Sequence, residues 1–365
     1  MKLFVIFGWL GVCSLTAFSD EGMWLFNSPP KKLLSEKYQF ELTDTWLNNA
    51  QRSSIRFNNG GSGSFISKNG LIITNHHVAS DALQKLSTAE RNLLAAGYYA
   101  STAAEELKCP DLELNVLQSI EDVTKRVNGA VATEFSAAEA NAARRAEMSL
   151  IEKESLEKTG FRSDVVTLFN GGAYHLYRYK KYTDIRLVFA PENQIAAFGG
   201  DVDNFEFPRF NLDITFFRAY ENDRPVVLEH WLKFNPEGCK EGDLVFVTGH
   251  PGTTNRLETL AKLIHRRDVT LPYTLARLRA LEAVLIQHSA SGPEAARQAS
   301  NDLRRAANSR KAFTGQYHGL LDPNTLATKK AAELAIRQQL SPCQAAGMGS
   351  GNGHGGSLSG KISNF

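Results

Sequence analysis

Two adjacent histidines, His76 and His77, follow the apolar run Leu71-Ile72-Ile73-Thr74. A histidine delivered at a strand terminus is a candidate general base. Its ring changes charge near neutral pH, and a carboxylate on its second nitrogen would fix tautomer and orientation. His77 is the better candidate, because the strand is expected to end there and small apolar Val78-Ala79 follow. His76 reads as a supporting or packing residue. On a strand, neighbours point to opposite faces, so the pair is poorly placed to hold one metal ion. The carboxylate candidate is Asp213, in Asn211-Leu212-Asp213-Ile214-Thr215. An aspartate ahead of an apolar strand is also a common turn residue. Its weight comes from chain order: histidine first, aspartate second, nucleophilic serine last. Asp201 and Asp203 precede it in Phe198-Gly199-Gly200-Asp201-Val202-Asp203-Asn204-Phe205, a glycine-turn loop rich in polar acceptors.

The serine is the missing member. A Gly-x-Ser-Gly loop lets backbone N–H groups form an oxyanion hole beside the nucleophile. Gly61-Ser62-Gly63-Ser64 has the composition but lies before the histidine, inside the hairpin, and reads as strand packing. Gly355-Gly356-Ser357-Leu358-Ser359-Gly360 sits in a glycine-rich tail with no strands after it to build a pocket.

The element that must carry the base is a hairpin. Phe65-Ile66-Ser67 and Leu71-Ile72-Ile73-Thr74 are β-rich, and Lys68-Asn69-Gly70 between them holds an Asn-Gly turn signal. Strand patterns also occur at Val165–Phe169, Tyr174–Tyr182, Ile185–Ala190, Asp213–Tyr220 and the β-branched run Leu244–Gly249, which Pro251-Gly252 ends. Residues 81–159 are expected to be helical, with Ser136 as an N-terminal cap on an Ala- and Glu-rich stretch. A second helical stretch runs over about 255–339, interrupted at Ser291-Gly292-Pro293 and Asp322-Pro323-Asn324. Residues 341–365 are too poor in apolar side chains to offset the cost of ordering and are expected to be disordered.

At 365 residues the chain has room for two or three domains. Its 41 basic and 39 acidic residues give a net charge of +2, which offers neither a nucleic-acid footprint nor a polybasic membrane anchor. Residues 1–19 combine one lysine, a short apolar run and Ala17-Phe18-Ser19, the pattern of a secretory signal peptide. That places the mature chain in a periplasmic or secreted setting. Cys109, Cys239 and Cys343 then remain, in no metal-binding spacing, and one pair could be oxidised there. No cofactor is called for.

Several motifs together resemble the dipeptidyl-peptidase 7 and dipeptidyl-peptidase 11 family of bacterial serine exopeptidases. They are Asp20-Glu21-Gly22-Met23-Trp24, the Gly-Ser-Phe-Ile-Ser hairpin, Thr74-Asn75-His76-His77, Tyr182–Pro191, Phe198–Phe205, Gly249–Arg256 and Asn308-Ser309-Arg310-Lys311. The resemblance runs from Asp20 to about Leu340. It implies an α+β fold, a chymotrypsin-like double β-barrel with an inserted helical domain. Its boundaries here would be 20–254 for the N-terminal part of the catalytic domain and 255–340 for an incomplete helical domain. It implies release of dipeptides from oligopeptides with a free N-terminus, with homodimers among full-length relatives. Residue by residue, it makes His77 and Asp213 catalytic. Asn204 and Asn308 would bind the substrate ammonium, an amide oxygen accepting from a cation without burying another charge. Phe205 stands where the family usually has a tryptophan walling the amine site.

Three departures accompany the resemblance. Gly61 and Val78 stand where the family has cysteines, implying a lost disulfide. A loop after Tyr220 is shorter. The family's serine loop lies well beyond position 365, so the chain is expected to be a truncated or frame-shifted form without turnover. A non-catalytic peptide-binding protein is the alternative from another class. A trypsin-like endoprotease of the heat-shock type fits less well, given the doubled histidine and the helical stretch.

Overall fold

The computed structural model describes residues 23–347 except 89, 199, 201, 207 and 251–257. The signal segment 1–19, Asp201, Pro251-Gly252 and the tail from 348 onward lie outside the described residues.

Among the described residues, eleven strands form one antiparallel sheet. They are β1 (Ser54–Phe57), β2 (Ser62–Phe65), β3 (Leu71–Thr74), β4 (Tyr98–Tyr99), β5 (Leu107–Lys108), β6 (Leu114–Asp122), β7 (Arg162–Leu168), β8 (Ala173–Tyr182), β9 (Asp184–Ala190), β10 (Thr215–Glu221) and β11 (Arg224–Pro225). The order is β4-β9-β10-β3-β2-β1-β6-β8-β7, with β11 on β10 and β5 on β9. The class is therefore mixed α and β with a large antiparallel sheet. Ile55, Phe57, Phe65, Ile72, Leu114, Ile185, Leu187 and Phe217 fill its main core. A smaller core joins Val127, Ile151, Val165 and Leu176, where the helix Ala137–Thr159 packs on β7 and β8.

The β2–β3 hairpin turns at Asn69-Gly70. Gly70 has φ +69°, and a Cβ there would fall 2.6 Å from Val226 Cγ2. Both the left-handed backbone and the close packing call for glycine. Beyond the turn, β3 pairs with β2 on one side and with β10 on the other, where Thr74 lies opposite Thr215. That register sets the residues after Thr74 beside those before Thr215.

Four expectations change. Residues 81–159 are not continuously helical, since they hold β4, β5 and the nine-residue β6. Leu114, Val116 and Leu117 are buried, and long-range pairing with β1 and β8 overrides the helical composition around them. His76 and His77 do not end a strand but open the helix His76–Leu86. Leu244–Gly249 forms no strand, because nothing among the described residues supplies a ladder partner; Val247 is 98% exposed. Residues 341–347 continue the helix Pro323–Gly347 instead of beginning a disordered tail. The later helical stretch holds the helices Leu271–Ser289, Pro293–Leu321 and Pro323–Gly347, broken where Gly292 and Pro323 stand.

Cys109 is buried and Cys239 exposed, and both are free thiols. Burial pushes the Cys109 thiol up to about 12, so it packs as an inert apolar group. No described helix is long and apolar enough to cross a membrane.

Gly61 and Val78 are in contact. A Cβ on Gly61 would fall 2.3 Å from Val78 Cγ1 and 3.1 Å from Val78 Cβ. Gly61→Ala is therefore expected to cost about 1–3 kcal/mol through overpacking, relieved when Val78→Ala is added. Gly61→Cys with Val78→Cys is expected to oxidise to a disulfide worth about 3 kcal/mol for a loop of this size. Thermal melts with and without reductant measure both effects.

Candidate active site

Asn75 follows β3 in an extended conformation, and the helix His76–Leu86 starts directly after it. Asn75 makes no side-chain cap to that helix. The free N–H groups of the first turn find Asp213 instead. His77 N–H donates to Asp213 Oδ1 at 3.0 Å, and the backbone N–H of His76 also bonds this carboxylate. The His77 ring then places Nδ1 2.7 Å from Asp213 Oδ2. Asn75 Nδ2 adds bonds to Oδ2 at 3.3 Å and to the Asp213 carbonyl at 3.1 Å. A carboxylate at a helix N-terminus is doubly favoured, by the donors and by the helix dipole.

Burial alone would raise the Asp213 carboxyl. The bonds from the His77 ring and the backbone N–H groups outweigh it and hold the acid below the usual aspartate range. Asp213 is thus an anion that orients His77 through Nδ1–H. This leaves Nε2 as the proton-accepting atom, on a side chain 64% exposed. The arrangement can do general-base chemistry on a hydroxyl brought to Nε2 from outside. Among the described residues no serine hydroxyl bonds that atom.

His76 is 3% exposed. Burial lowers its pKa, which keeps the ring neutral, and its Nε2 has no hydrogen-bond partner. The Pro191 carbonyl and Asp213 act in the opposite direction. Ser62 makes no hydrogen bond to His77; its hydroxyl accepts from His250 N–H at 2.8 Å, a packing role. Ser62, Ser64, Thr74, Asn75, Asp213 and Thr248 line a cavity of about 380 Å³.

The second group of candidates meets across two elements. Asn204 Nδ2 donates to Asn308 Oδ1 at 3.0 Å, joining the loop after Gly200 to the helix Pro293–Leu321. Lys311, three residues along that helix, donates to the Val202 carbonyl at 2.9 Å. Phe205 holds φ +65° and is 62% exposed, an unusual backbone for an aromatic residue. The Asp203 carbonyl accepts the Glu206 N–H, a backbone turn.

Two residues without an assigned role in the sequence matter here. Asn75 steadies Asp213, and its place next to the histidine pair was the available signal. Arg209 holds Asn204, donating to its Oδ1 at 3.2 Å and to the Gly200 carbonyl at 3.0 Å. Nothing in the local sequence pattern marks it.

Comparison with known proteins gives matches over most of the chain. The family described as Peptidase S46 matches residues 19–349. The chain is 29% identical over 307 residues to the Asp/Glu-specific dipeptidyl-peptidase of Porphyromonas endodontalis, covering 78% of this chain and 42% of that protein. It is 29% identical over 350 residues to dipeptidyl-peptidase 7 of Phocaeicola vulgatus, covering 88% and 48%. The crystal structure of Porphyromonas endodontalis DPP11 with the dipeptide Arg-Glu superposes with a TM-score of 0.76 at 26% identity, over 89% of this chain and 50% of that one. The chain spans about half the length of the curated relatives it matches.

Proposed function

Because the chain belongs to the peptidase S46 family, we propose that it carries the base and acid of a serine dipeptidyl aminopeptidase. The single observation behind this reading is the 2.7 Å contact between His77 Nδ1 and Asp213 Oδ2, with Nε2 on an exposed face. His77 Nε2 takes the proton from a serine hydroxyl as it attacks the scissile carbonyl, then returns it to the leaving amine. Asp213 stabilises the imidazolium formed between those steps. The serine and its oxyanion hole are assigned to the part of the family's length that this chain does not span.

Dipeptide length follows from where the amine is held. Asn204 and Asn308 offer amide oxygens to the substrate ammonium, and Phe205 walls the site. Peptides with a free N-terminus are the substrates, and the fold finer than the sheet is the first of two chymotrypsin-like barrels, 20–254, joined to helical residues 255–340. Leu244–Thr248, apolar and without a ladder partner among the described residues, suits a strand that pairs with the second barrel. The leading segment 1–19 sends the protein to the periplasm or outside the cell, and a homodimer is the assembly proposed there.

The test supplies this chain with the serine-bearing remainder of the family's length, incubates the assembly with hexapeptides of apolar or acidic second residue and reads products by mass spectrometry; the chain alone is expected to release nothing. Dipeptides released from free but not N-acetylated peptides, and lost in His77→Ala, are the expected result. Binding without any release would favour the non-catalytic peptide-binding alternative. Internal cleavage that ignores acetylation would overturn the exopeptidase reading. Asn308→Ala is expected to lower kcat/KM by about 10- to 150-fold, the worth of one hydrogen bond to a charged group.

A further inference from the structure

We propose that Arg209 is a positioning residue that sets which way the Asn204 and Asn308 amides face, and so presents their oxygens to the peptide amine. This rests on the amine-binding reading of that pair. The two ends of an asparagine amide have nearly the same shape, so packing cannot choose between them; hydrogen-bond partners must. Arg209 makes that choice because a guanidinium only donates. One of its terminal nitrogens bonds Asn204 Oδ1 at 3.2 Å, and the other is anchored on the Gly200 carbonyl at 3.0 Å. With Oδ1 committed to that side, Nδ2 of Asn204 turns to Asn308 Oδ1 at 3.0 Å.

The result is a chain of donors running one way, from Arg209 to Asn204 to Asn308. Reversing Asn204 would set N–H against guanidinium N–H and oxygen against oxygen. Asn308 alone could not prevent the reversal, since its own amide could turn to donate. Each amide oxygen has two lone pairs and uses one in this chain. The remaining pairs are what a donor-only ammonium needs. The loop itself does not depend on Arg209 for its attachment, because Lys311 separately ties Val202 to the helix at 2.9 Å. Losing Arg209 should therefore scramble amide direction while the loop stays docked.

The experiment compares wild type, Arg209→Lys and Arg209→Met in the full chain. First, the side-chain NH2 groups of Asn204 and Asn308 are followed by ¹⁵N-resolved NMR without ligand. Single sharp pairs are expected in wild type and Arg209→Lys, and exchange-broadened or doubled pairs in Arg209→Met. Sharp, unshifted pairs in Arg209→Met would overturn the proposal. Second, affinity is measured calorimetrically for Ala-Glu-Ala and its N-acetylated form. The preference for the free amine is expected to fall at least tenfold in Arg209→Met and less than threefold in Arg209→Lys. A lowered melting temperature with sharp amide pairs and intact preference would make the role merely structural and also overturn it. If wild type itself shows no preference, the amine-binding reading fails, while the NMR comparison still decides whether Arg209 orients the pair.

Discussion

Asp213→Asn is expected to lower dipeptide-releasing kcat by about 10⁴-fold in the assembly that supplies the serine. The substitution keeps shape and changes charge and donor pattern. Asn can still accept the His77 backbone N–H that now bonds Oδ1 at 3.0 Å. On the other side, an amide NH2 facing Nδ1 at a distance such as 2.7 Å would make that ring nitrogen the acceptor. The ring proton then moves to Nε2, the atom that must be free to take one. The imidazolium also loses its counter-charge. Circular dichroism should be unchanged while turnover collapses; turnover within tenfold of wild type would remove Asp213 from the mechanism.

The same substitution has a pH signature. Against burial, the bonds from the His77 ring and backbone hold the Asp213 carboxyl below the ordinary aspartate value. A depressed acid contributes stability that is complete above its ordinary value and is lost as pH falls through the lowered folded value. Wild type should therefore lose melting temperature more steeply than Asp213→Asn does as pH falls below the ordinary aspartate value of about 4. Parallel melting curves over that range would contradict the bonding described.

Much of this site could be read without coordinates because its parts are local. The hairpin announces itself through Asn69-Gly70 between two β-rich runs, and Asp213 fits the chain order, while the family resemblance separates it from the other acids that fit it too. What could not be read is set by partners far along the chain. Leu114–Asp122 became a strand through pairing with β1 and β8, although its neighbours are helix formers. Leu244–Thr248 has every strand preference and no strand, because preference does not make a ladder without a partner. His77 reached Asp213 by opening a helix, not by ending a strand, since the carboxylate itself serves the first-turn N–H groups. Arg209 stayed invisible for a related reason: its role is to choose an amide's direction, which leaves no pattern in the residues around it.

Glu106 carries the other large expectation, and it bears on whether His77 and Asp213 stay aligned. Its side chain is 4% exposed and lies 2.9 Å from Arg218 Nε. The Tyr220 hydroxyl donates to it at 2.7 Å. Arg218 also donates to the Asn69 carbonyl at 3.0 Å, in the β2–β3 turn. One buried carboxylate thus ties together β10, which begins just after Asp213, and the hairpin whose far end leads into His77. Burial raises the Tyr220 hydroxyl to about 12, and the bond to Glu106 adds to the effect, so Tyr220 stays a donor. Glu106→Ala leaves a largely buried guanidinium and a buried phenol without their acceptor, and breaking such a pair from one side costs up to about 3–5 kcal/mol. In a domain of this size that corresponds to a melting temperature lower by roughly 6–20 °C. Removing both charges with Glu106→Met and Arg218→Met should recover much of the loss, because no charge is then left unpaired, although the Tyr220 hydroxyl still lacks its acceptor. A double-mutant cycle on these positions is expected to show coupling of about 1–3 kcal/mol. Additive losses would mean that Glu106 acts through packing alone and does not lock the two strands that bring His77 and Asp213 together.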